Sequence, residues 1–122
     1  MSSSFVRDNA NAWANSLAYP FYDTVNEEQN PKADIWLTLG FENESTETGY
    51  NDCYTIEEGT ISLDFMVRPG GGTINMEDFE IEAKKFLENK APGLTLKRLS
   101  IDTFQEISWW RVVFYFSYMY NY

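Results

Sequence analysis

The chain has 122 residues, 43% of them hydrophobic and 17% aromatic, and nineteen Asp/Glu against nine Lys/Arg give it a formal charge of −10. That length suits one domain with a single core, and that charge argues against non-specific binding to nucleic acid or to an anionic membrane. Without histidine the Ser–His and Cys–His nucleophile pairs and the commonest zinc ligand are excluded, and Cys53, the only cysteine, excludes an intrachain disulfide framework.

Residues 1–33 form an N-terminal segment of weak pattern, and residues 34–122 are expected to form the sheet and helix core of a single domain. Asp8 is placed to cap a short helix carrying Trp13 and Leu17, although Asn9, Asn11 and Asn15 are poor helix formers. After an exposed loop at Asn26–Lys32, Ile35, Leu37, Leu39 and Phe41 alternate with Trp36, Thr38 and Gly40 as a first strand. Glu42 to about Tyr54 then reads as a long acidic loop.

A second strand, from about Cys53 to Val67, shows the clearest period-2 pattern of the chain: Ile61, Leu63, Phe65 and Val67 alternate with Thr60, Ser62, Asp64 and Met66. Pro69 with Gly70, Gly71 and Gly72 supplies the turn into an amphipathic helix at about 75–90, with Thr73 or Asn75 as cap. The apolar stripe of that helix is Met76, Phe79, Ala83, Phe86 and Leu87, and Ala91-Pro92-Gly93 ends it. Leu94 and Leu96 share one parity and Leu99 and Ile101 the other, which predicts a third strand with a bulge near Lys97-Arg98. From Trp109 to Tyr120 a final strand is apolar or aromatic on both parities, so it is either central in the sheet or meets a partner with its second face. The expected class is α+β: a mainly antiparallel sheet packed by one main helix, with a short N-terminal helix.

No constellation for catalysis, metal or cofactor stands out. Gly70-Gly71-Gly72-Thr73 precedes a helix but lacks the Lys-Ser/Thr of a phosphate-binding loop. Glu42, Glu44, Glu47 and Asp52 lack calcium-loop spacing. Glu57 and Glu58 are adjacent on a strand and point to opposite faces. The stronger feature is charge distribution: eight acidic residues and no basic one lie between Lys32 and Arg68.

The order of acidic segment, Glu58–Gly72 strand and turn, amphipathic helix, and two strands ending in Trp109–Phe116 resembles the tail terminator proteins of long-tailed bacteriophages. The similarity covers about residues 34–120, and residues 1–18 are shorter and richer in Asn than the N-terminal helix usual in that family. The resemblance implies a non-enzymatic virion subunit without cofactor, made in the host cytoplasm, that forms a hexameric ring at the head-proximal end of the tail. Its partners would be further copies of itself, the tail-tube protein and a neck or head-completion protein, with no specific nucleic-acid binding and no membrane. On this reading Glu42, Glu44, Glu47 and Asp52 are candidates for the channel lumen or a tube-facing loop. Trp109, Tyr115, Tyr118 and Met119 are candidates for subunit contacts, and Pro69, Gly70, Gly71 and Gly72 form the strand–helix turn. Another neck or tube protein, and an acidic DNA-mimic inhibitor, remain the alternatives.

Overall fold

The computed structural model describes residues 4–22, 34–48, 55–68, 76–105 and 110–121. The elements are α1 (Ser4–Asn15), β1 (Ile35–Thr48), β2 (Thr55–Val67), α2 (Met76–Glu88), β3 (Leu94–Gln105) and β4 (Trp110–Asn121). The four strands form one sheet in the order β1-β2-β4-β3, and every neighbouring pair is antiparallel. β2 and β3 thus run in the same direction with β4 between them, and α2 makes the connection from one to the other.

Strict alternation decides which side of the sheet is filled. On β2 the odd positions from Glu57 to Val67 are buried and the even ones are not. The odd set joins Phe114, Phe116 and Tyr118 of β4 in one core with Phe79, Ala83 and Phe86 of α2 and Val6, Ala10, Trp13 and Ala14 of α1. Both helices therefore pack on the same face. Phe86 is the junction: its ring lies 6.0 Å from Trp13, edge to face, and 5.3 Å from Phe116. Phe65 stacks on Phe79 at 4.5 Å and meets Phe114 edge-on at 5.4 Å. Offset and edge-to-face contacts of this kind add to the area that each ring removes from water.

Several expectations hold in this arrangement. β1 pairs with β2, α2 falls within the predicted range, β4 is central, and the bulge in β3 lies between Arg98 and Ser100, at Leu99. Others need correction. The helix α1 starts at Ser4 and runs for 12 residues, so Asp8 is an exposed interior residue and not its cap. Val6, Ala10, Trp13 and Ala14 give it a buried stripe, and tertiary packing of such a stripe outweighs the weak propensity of its asparagines. The expected acidic loop is largely strand: β1 continues through a bulge between Asn43 and Ser45 to Thr48, which pairs with Thr55. Glu42, Glu44 and Glu47 are strand residues, whereas Cys53, the expected cap positions Thr73 and Asn75, and the turn Pro69, Gly70, Gly71 and Gly72 lie outside the described residues. Met76 ends up exposed, and Glu82 takes a buried place on α2 that the apolar stripe did not predict.

Candidate assembly surface

Two carboxylates lie inside the helix-covered half of the molecule. Glu57, 3% exposed, accepts a hydrogen bond from the Tyr118 hydroxyl at 2.6 Å. Tyr118 reaches it by crossing Gly59, where an added Cβ would come within 2.7 Å of the Tyr118 ring and would also strike the carbonyl oxygen of Glu42. Glycine is what lets the ring lie flat against the strand at this point. The second carboxylate, Glu82, accepts the backbone N–H of Ala18 at 2.6 Å and pairs with the exposed Lys85 ammonium at 2.9 Å. That clasp ties the segment after α1 to α2. Beside it Tyr19 sits edge-on to Phe65 and Phe79, and burial first, then the nearby charges of Asp78 and Glu82, raise its phenol above the ordinary 10.0. Both carboxylates have structural partners, and among the described residues no three or more His, Cys, Asp or Glu converge as metal ligands.

The other face of the sheet carries neither helix. Its residues follow from the pairing registers, row by row. Trp36, Met66, Arg111 and Phe104 form one row across β1, β2, β4 and β3. Thr38, Asp64, Val113 and Asp102 form the next, followed by Gly40, Ser62, Tyr115 and Ser100, then Glu42, Thr60, Ser117 and Lys97. Trp36 and Val113 are buried, although neither belongs to the core under the helices. Arg111 lies 4.7 Å over the Phe104 ring and 3.7 Å from Asp64, contacts that hold a guanidinium flat on a sheet surface. Tyr115 is half-buried here, while Phe104 and Met119 are exposed.

The expected contact residues therefore separate. Tyr115 and Met119 are on the face without helices, whereas Tyr118 points the opposite way, is 3% exposed, and is held by Glu57, so as a surface contact it is corrected to a core residue. Even parity on β4 is the helix side, which is why Tyr118 and Met119 part company. Trp109 and Asp52 lie outside the described residues. Of the acidic candidates Glu42 is exposed near the bulge of β1. Sequence reasoning did not single out Arg111 and Phe104, whose adjacency needs the β3–β4 register.

The edges of the sheet differ as well. At the β1 edge, Leu37 N–H donates to the Pro20 carbonyl and Tyr22 N–H donates to the Leu37 carbonyl, a parallel bridge that covers the start of the strand. β3 is the opposite edge and is mostly exposed along its length, with Leu99 54% exposed at the bulge. Charge is unevenly distributed along the chain. Residues 34–64 hold eight carboxylates and no cation, while residues 84–98 hold Lys84, Lys85, Lys90, Lys97 and Arg98, all exposed, against the single Glu88.

Together these features define an α+β domain with a four-stranded antiparallel sheet and two helices on one face. A solved structure that bears a sequence identifier as its name superposes on 100% of this chain and 97% of its own, with a TM-score of 0.66 at 16% identity. At that identity the likeness concerns the fold. No protein-family model and no curated protein matches the sequence.

Proposed function

We propose that this chain is a structural subunit of a bacteriophage tail, a terminator whose ring closes the head-proximal end of the tail tube. The observation that supports it best is the sheet face without helices, where Phe104, Tyr115 and Met119 are presented at the surface of a single-domain protein. Apolar and aromatic surface of this kind is what subunit contacts use. The resemblance in element order supplies the particular assembly, and the charge of −10 suits a ring around a DNA channel, because a polyanion slides past carboxylates without the ionic contacts that would hold it.

The test is quantitative mass spectrometry of washed phage particles from a lysate of the strain that expresses the chain, scaled to a capsid protein of known copy number. About six copies per particle are expected for one closed ring. Absence from the particles overturns the reading, and a salt-sensitive complex with a basic nucleic-acid enzyme would then favour the inhibitor alternative.

A further inference from the structure

We infer that copies of this chain join head to tail through their sheet edges, the open edge of β3 in one copy adding to the β1 edge of the next, with Lys97 facing Glu42 across the junction. This deepens the ring reading by naming the contact, and it rests on that reading for closure of the ring.

Strand direction comes first. Four strands in the order β1-β2-β4-β3, each antiparallel to its neighbour, alternate up, down, up, down. A copy related by rotation about an axis roughly along the strands presents β1 with the direction that continues the alternation. The junction is then antiparallel, like every pairing within the sheet. A long exposed edge such as β3 is a template for this kind of addition.

Charge selects the partner edge. Joining β3 to β3 through a two-fold axis would bring Lys97 and Arg98 toward their own copies, and joining β1 to β1 would do the same for Glu42. Only the heterologous pairing sets opposite charges against each other, and heterologous contacts are the ones that close into rings. Register agrees. Lys97 pairs with Ser117, Ser117 with Thr60, and Thr60 with Glu42, so the two exposed residues share one row and one face of the sheet. A ring without axial offset continues that row and places Lys97 of one copy beside Glu42 of the next.

The experiment is charge exchange, read by sedimentation velocity on the full chain at about physiological salt. Lys97→Glu and Glu42→Lys are each expected to raise the self-association constant for dissociation about tenfold. Mixing the two variants is expected to restore it to within about twofold, because each supplies the edge that the other lacks. Circular dichroism melting checks that these surface variants stay folded. Lys97→Cys with Glu42→Cys, in a Cys53→Ser background, is expected to give intermolecular disulfides under mild oxidation, since facing strand residues have a suitable Cα separation. Wild-type association that the single variants do not change, mixtures that do not recover, missing disulfides, or a wild-type chain monomeric to about 100 μM each overturn the edge contact. Copy number in particles judges the ring reading separately.

Discussion

Gly59 is where a one-atom change has two consequences. An alanine Cβ would meet both the Tyr118 ring and the Glu42 carbonyl, and the second is backbone that cannot swing away. Gly59→Ala is therefore expected to lower unfolding stability by about 1–3 kcal/mol, read by urea denaturation. Tyr118→Phe keeps the ring and removes the hydroxyl that donates to Glu57, with an expected loss of about 1–3 kcal/mol. Pairing it with Glu57→Gln in a double-mutant cycle should show non-additivity, since the two side chains are in contact. The sequence could not reveal this pair. Two adjacent glutamates on a strand point to opposite faces, and only the β2–β4 register brings a tyrosine from the far end of the chain onto one of them. Glu82 was hidden for the same reason, because the N–H it accepts belongs to Ala18, far away in the chain. Tyr19 makes a pH prediction. Its phenol is raised above 10.0 in the folded state, so the unfolded chain ionises first. The stabilisation is complete below pH 10.0 and is lost as pH rises through the folded value. Wild type should thus lose stability more steeply than Tyr19→Phe in a denaturation series from neutral pH into the alkaline range.

At the scale of elements, α2 is the part whose pattern and packing agree most closely. Phe79, Ala83 and Phe86 recur at helical spacing and all three are buried. Phe86 carries the contact between helices and sheet, so Phe86→Ala is expected to cost about 3–5 kcal/mol and to lower the thermal midpoint. β2 and β4 were equally legible, one by alternation and the other by apolar residues on both parities, as expected of a central strand. The distal half of β1 was not. From Glu42 to Thr48 every residue is polar on both parities, so period-2 reasoning has no signal to read. The strand exists there because β2 supplies ladder partners from Thr55 to Thr60. The helix α1 was undervalued in a similar way: its asparagines speak against a helix, whereas the core under the sheet accepts Val6, Ala10, Trp13 and Ala14.

At the scale of the whole molecule, two electrostatic terms oppose each other. A net charge of −10 makes any two copies repel at a distance, whereas the junction proposed above sets Lys97 of one copy against Glu42 of the next. The ranges of these terms differ. Monopole repulsion acts through solvent over a Debye length, about 30 Å at 0.01 M salt and about 10 Å at 0.1 M. A Lys97–Glu42 contact acts at a few ångströms and is attenuated only at higher salt. Association is therefore expected to pass through a maximum: weak at about 10 mM salt, where copies are kept apart, strongest near about 0.1 M, and weaker again toward about 1 M, where the Debye length approaches contact distance. A sedimentation series across that range checks it. A steady decline from the lowest salt would show that the Lys97–Glu42 attraction outweighs the monopole at all distances, while a steady rise would show that apolar surface such as Phe104, Tyr115 and Met119, strengthened by salt, carries the contact in place of that pair.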